Sequence, residues 1–235
     1  MQTGLGPEDQ SVIGATSARS PIIQLAIAVG ATVLYLWRTD LDPRWPVLAG
    51  IAAICVYVMV RAPHARRAAA MKVDGSHVTG LDKALIFGVI ATTLRLPQLY
   101  LAVPLFDRLD YALPGSLAVA GVAIMSVALW LFRRSHADLG TRWSASLQLG
   151  DKHELVTRGV YARVRHPMYA ALWLYVLAQP LLFQNWVAGP PAILGFSLLY
   201  FIRVPREEAM MRERFGVAYN DYAERTRRLW PARRK

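Results

Sequence analysis

The sequence predicts an all-α, polytopic integral membrane protein of about six transmembrane helices, with a C-terminal helical hairpin and an amphipathic C-terminal helix. Three observations predict it. Apolar residues make up 54% of the 235 residues and fall in blocks rather than at a regular period. Several blocks approach the ~20 residues that a helix needs to cross a bilayer core of ~30 Å. Lys and Arg concentrate between alternate blocks, as cytoplasmic loops do.

Residues 1–20 are rich in Gly, Ser and Thr, with acidic Glu8 and Asp9 where a secretory signal would be basic. They are expected to form a disordered cytoplasmic tail. Residues 21–110 hold three spans. The first two blocks, Pro21 to Trp37 and Trp45 to Val60, carry no charge, and each is close to the minimum length for spanning. The third, Ala84 to Phe106, is interrupted by Arg95, Pro97 and Pro104, so it is expected to be a kinked span carrying one buried or snorkelling cation.

Residues 111–235 form the remaining unit. Tyr111 to Phe132 is an uninterrupted fourth span. From His166 no charge follows until Arg203. A single helix over that interval would be roughly 54 Å long at ~1.5 Å per residue, far more than a bilayer needs. The chain must turn back, and Gln184, Asn185, Gly189, Pro190 and Pro191 supply the residues for a hairpin. Of the 27 basic residues, 22 lie after the second, fourth and sixth spans. This places both termini, and the polar motifs beside them, in the cytoplasm.

The net charge of +11 lies mostly in these juxtamembrane segments, so anionic lipid headgroups are the partner it implies. No nucleic-acid module, internal repeat or obligate protein partner is evident. Cys55 is the only cysteine, which excludes an internal disulfide. His153, His166, Glu207 and Glu208 contain no close His/Glu pair of the HExxH kind, so no metal site is expected.

Two stretches carry the chemistry. HELVTRGVYARVRHPMY, from His153 to Tyr169, sets polar groups against the start of an apolar run. Pro167 suits the first turn of a helix and keeps His166 out of the α conformation, so a helix is expected to begin there. Such a start presents unpaired N–H groups to an anion. Arg165 and His166 then either strengthen an anion site or face lipid headgroups. The second stretch, RVPREEAMMRERFGVAYNDY, places Arg203 and Glu207 four apart and so on one helix face. Met210, Met211, Phe215, Tyr219 and Tyr222 recur at helical spacing, as in an interfacial amphipathic helix.

These two motifs and the hairpin between them, over roughly Arg142 to Pro231, resemble the isoprenylcysteine carboxyl methyltransferase family, which is itself similar to phospholipid N-methyltransferases. The resemblance implies a cytoplasmic site for S-adenosyl-L-methionine and a lipidic or hydrophobic small-molecule acceptor, with a carboxylate as the methylated group. By position, His153, Glu154, Leu155 and Val156 correspond to a first cofactor segment, Tyr161 to the family's tyrosine, and His166, Pro167, Met168 and Tyr169 to the segment at the helix start. Glu207 corresponds to the glutamate that contacts the cofactor, and Arg203 to the arginine that holds the substrate carboxylate. Ala171 stands where relatives often have Gly.

Methyl transfer to a carboxylate needs no general base, whereas an amine acceptor would need one, for which Glu208 or a tyrosine is available. Three further readings stay open: a phospholipid or amine N-methyltransferase, a sterol-type NADPH membrane reductase, and a non-catalytic membrane binding protein.

Overall fold

The structure, a computed structural model, describes residues 7–70, 80–140 and 155–231, with side chains from residue 22 onward except at 66–70. Its helices are α1 (Pro7–Arg38), α2 (Trp45–Ala70), α3 (Gly80–Ile90), α4 (Leu96–Ala102), α5 (Gly115–Leu139), α6 (Pro167–Phe183), α7 (Pro191–Phe215) and α8 (Val217–Arg225). The expected all-α architecture is what forms. Trp45–Ala65, Gly80–Ala102 and Gly115–Leu139 are long and apolar enough to cross a membrane, and Ile22–Arg38 and Pro167–Phe183 are shorter apolar helices. The sixth apolar block is the first half of α7.

α1 begins at Pro7, inside the segment expected to be an unstructured tail. Pro at the first helical position, with Glu8 and Asp9 in the first turn, is a favourable start for a helix.

The kink in the third block has a specific form. The helix widens into a π turn at Ala91–Arg95 before α4 resumes. Pro97 has no N–H to offer the carbonyl of Thr93 four residues back. That carbonyl instead accepts a bond from Gln179 Nε2 of α6 at 2.8 Å. The expected intramembrane cation, Arg95, is half-buried and donates to Gln98 Oε1 at 2.8 Å. Leucine at position 95 would leave that buried oxygen without its donor. Arg95→Leu is therefore expected to lower stability by roughly 1–3 kcal/mol, read as a lower melting temperature in detergent; an unchanged or higher value would show that Arg95 does not hold Gln98.

The hairpin between α6 and α7 is built from the polar residues expected there. Gln184 ends α6 in the left-handed conformation (φ 50°), and its carbonyl accepts from Tyr111 N–H at 2.9 Å. Asn185 donates to Phe106 O and Asp110 Oδ1, and its own oxygen accepts from Val187 and Ala188 N–H. A Cβ at Gly189 would lie 2.6 Å from Pro180 Cα, so only glycine allows this return. At the same end of the bundle Arg38 pairs with Asp107, and Arg44 pairs with Asp110 at 3.1 Å. Two of the few basic residues outside the three basic segments are thus held by local carboxylates. The antiparallel return brings the start of α6 and the far end of α7 together at the opposite end of the bundle, where the two motifs meet.

Candidate active site

Pro167 is the first residue of α6 and His166 is the residue that caps it, with no side chain bonded across the helix start. α7 is continuous through Arg203, Glu207 and Glu208, so Arg203 and Glu207 share a face as their spacing predicts. Tyr169, one turn into α6, donates from its hydroxyl to Glu207 Oε2 at 2.8 Å. The buried Arg203 guanidinium is a hydrogen-bonding neighbour of the same hydroxyl. Tyr169 therefore joins an acid and a base that lie one helical turn apart. Glu207 is half-buried, and its charge also reaches Tyr161.

Tyr161 is buried in a 3-10 turn, Gly159–Ala162, between α5 and α6. Burial, and then the charge of Glu207, pushes its phenol well above the usual range. The turn is positioned by Asp138 at the end of α5, which accepts from Val160 N–H at 2.8 Å. Gly159 has φ +61°, and an added Cβ would sit 2.1 Å from the Asp138 carboxylate, so a side chain there meets both strain and a clash. Leu155 and Val156 precede this turn in half-buried chain without regular structure; Met168 is half-buried beside Tyr169. His153 and Glu154 lie outside the described residues.

Next to this group stands a second one that the sequence reading did not anticipate. Glu208 is fully buried and accepts from Arg165 Nε at 3.3 Å, His166 Nε2 at 3.2 Å, Arg212 at 3.4 Å, and Arg228 at 3.1 and 2.8 Å. Burial alone pushes its carboxyl up. Hydrogen bonds from His166 and Arg228, with their charge, outweigh that and hold it well below the usual carboxylate range. A carboxylate so stabilised is a poor proton acceptor, which removes Glu208 as a general base for an amine acceptor. Arg165 and His166 likewise spend their side chains on Glu208 rather than on lipid headgroups. The signal available in the sequence was the Glu207–Glu208 step: consecutive residues point about 100° apart on a helix, so the two cannot serve one site.

Backbone bonds extend this cluster. Val164 and Arg227 form a parallel bridge, with Arg165 N–H on Arg227 O at 2.8 Å and His166 N–H on Arg228 O at 2.9 Å. Arg165 also donates to Ala223 O and Thr226 O, and Tyr222 Oη donates to Tyr161 O at 2.7 Å. Gly216 (φ +52°) ends α7, and α8 turns buried Tyr219 and Tyr222 inward. The helical spacing of these tyrosines thus marks a face that packs over the loop before α6.

A pH dependence follows. The folded-state pKa of Glu208 lies below the ~4.3 of an unfolded glutamate, so its stabilising contribution is fully present above that value and is lost as pH falls below it. The melting temperature is expected to decline below about pH 4, and the decline should be shallower in Glu208→Gln; parallel acid limbs in thermal melts would refute this.

Residues 118–213 match the model of the isoprenylcysteine carboxyl methyltransferase (ICMT) family. This stretch is similar to that family over 96 of the 235 residues. The ICMT match covers α5, the loop, α6 and most of α7, which are the elements that carry the site. The chain is 32% identical over 79 residues to a probable protein-S-isoprenylcysteine O-methyltransferase of Oryza sativa subsp. indica, covering 32% of this chain and 39% of that protein. It is 36% identical over 73 residues to the protein-S-isoprenylcysteine O-methyltransferase of Schizosaccharomyces pombe, covering 31% of each. The chain spans about a third to a half of the length of the first curated relatives that it matches. The structure of a eukaryotic intramembrane Ras methyltransferase ICMT superposes with a TM-score of 0.53 at 19% identity, over 87% of this chain and 73% of that one. That likeness shows the shared membrane fold.

Proposed function

We propose that the protein is an S-adenosyl-L-methionine-dependent integral membrane methyltransferase acting on the carboxylate of a hydrophobic, isoprenylcysteine-like acceptor, with its site and both termini on the cytoplasmic side. The observation that carries this reading is the Tyr169, Arg203 and Glu207 group at the head of an aromatic wall. Tyr169 packs on Tyr200 at 5.9 Å between ring centroids, Tyr200 on Trp173 at 5.6 Å and on Phe201 at 5.3 Å, and Phe201 is exposed on the outer surface of α7. Charged groups at one end and lipid-facing aromatics at the other suit an acceptor with a polar head and an apolar body.

The residues present fit the cofactor. It bears an ammonium, a sulfonium and an adenine ring, and the half-buried Glu207 carboxylate beside aromatic Tyr169 and Tyr161 offers partners for cations and a flat ring. Leu155, Val156, Pro167 and Met168 would supply apolar contacts, with His153, Glu154 and His166 completing the set implied by the family likeness. When bound, the cofactor supplies an electrophilic methyl group on sulfur.

The chain's own residues then align and exclude. Arg203 is buried, so it can hold an acceptor carboxylate by a paired contact in a setting from which water is displaced. A carboxylate is ionised at neutral pH, so the reaction asks no residue to remove a proton. This agrees with Glu208 being committed to its cations.

Titration of the detergent-solubilised protein with S-adenosyl-L-methionine and, separately, NADPH tests the reading. Saturable binding of the first alone supports it; binding of NADPH alone would replace it with a reductase. Arg203→Ala is expected to raise the KM for a prenyl-cysteine acceptor roughly 10- to 100-fold while cofactor affinity stays near that of the unaltered protein. An equal loss of both would overturn the division of roles.

A further inference from the structure

A pocket of ≈ 230 Å³ lies beside the loop before α6 and apart from the Tyr169, Arg203 and Glu207 group; Trp130, Arg134, Gly159, Val160 and Arg163 line it. Its volume is below the ~300–1,000 Å³ of sites that enclose drug-sized ligands, so it suits a small charged group rather than a nucleoside. Its position is informative. Trp130 and Arg134 are four apart on α5, where exposed Val119, Val127 and Trp130 form an outward-facing apolar stripe. That stripe runs along a helix long and apolar enough to cross a membrane, and Arg133 and Arg134 follow it on the same helix. Tryptophan and arginine in this order mark the depth at which acyl chains give way to headgroups.

The charged part of the pocket is built rather than incidental. One Asp138 oxygen pairs with Arg134 at 3.2 Å and the other accepts from Val160 N–H at 2.8 Å. Asp138 therefore fixes Arg134 against the 3-10 turn, and Arg163, at the end of that turn, faces the same space. The carboxylate is engaged on both oxygens, while Arg134 and Arg163 are both lining residues, so the ligand the pocket suits is an anion. Arg fits a phosphate through paired N–H donors.

We propose that this pocket binds the phosphate of an anionic phospholipid, whose acyl chains lie along the apolar stripe of α5. A phosphodiester with a net negative charge and an attached hydrocarbon matches both halves of the surface. A zwitterionic lipid places a cation beside two arginines and is disfavoured.

The test measures thermal stability of the purified full chain in mixed micelles containing phosphatidylglycerol, phosphatidylcholine or inorganic phosphate. Phosphatidylglycerol well above its Kd is expected to raise the melting temperature by roughly 5 °C, with neither of the others doing so. The rise should vanish in Arg134→Gln/Arg163→Gln and persist in Arg133→Gln/Arg158→Gln, which loses the same charge outside the pocket lining. An equal rise in both double variants would show diffuse attraction and overturn the site. A rise with inorganic phosphate equal to that with phosphatidylglycerol would overturn the lipid as the ligand. If the first double variant does not purify, native mass spectrometry of Arg163→Gln decides: loss of retained phosphatidylglycerol supports the proposal, and retention equal to that of the unaltered protein refutes it.

Discussion

Glu207→Ala is expected to weaken S-adenosyl-L-methionine binding by roughly 10- to 100-fold, while the protein still inserts and purifies. The size follows from losing a charged hydrogen-bonding partner for a cation, worth about 1.5–3 kcal/mol at about 1.4 kcal/mol per tenfold change. Tolerance of the change follows from the structure: Glu207 is half-buried, and Tyr169, the partner that donates to it, keeps Arg203 as a neighbour. Calorimetric titration of the variant measures the effect. Affinity equal to that of the unaltered protein would remove Glu207 from the site.

Glu208→Leu is expected to act in the opposite manner, on the fold before the chemistry. Removing this carboxylate leaves Arg165 and His166, whose side chains are 12% and 8% exposed, side by side without their counter-charge. Breaking a buried ion pair in this way costs about 3–5 kcal/mol. Against a total stability of ~5–15 kcal/mol that is a large fraction, and it corresponds to a fall in melting temperature of roughly 10 °C. The same change releases the strap formed by Arg228 and the Val164–Arg227 bridge, so protease cleavage after Gly216 should speed up in parallel. An unchanged melting temperature would mean that the four cations find other partners and that Glu208 holds nothing together. The contrast between neighbouring glutamates is the sharper test: one variant should lose ligand and keep its fold, the other should lose its fold first.

Much of this was legible in the sequence because the responsible forces are local. Uncharged apolar blocks became helices, and Pro167 began α6. Gln184, Asn185 and Gly189 made the return, because a left-handed residue, an Asn that bonds its own backbone and a position without room for a Cβ are properties of short segments. That Arg203 and Glu207 share a face follows from helical periodicity alone. The kink near Arg95 was legible as a kink, but its π geometry depends on Gln179, a residue distant in sequence that takes the carbonyl Pro97 leaves bare.

What only the tertiary structure decided is which charges meet. Tyr169 reaches Glu207 and not Glu208, and the side chains of His166 and Arg165 meet Glu208, because the start of α6, the end of α7 and the segment after α8 converge at one point. Arg228 lies 20 residues beyond Glu208 and outside any motif, yet it makes the shortest contact to that carboxylate. Composition and spacing determine which segments are helical and which are apolar, since burial and periodicity act along the chain. Partner choice among neighbouring charges depends on three-dimensional approach, and there a difference of one helical position, about 100°, separates the carboxylate that accepts from Tyr169 from the one that gathers the cations.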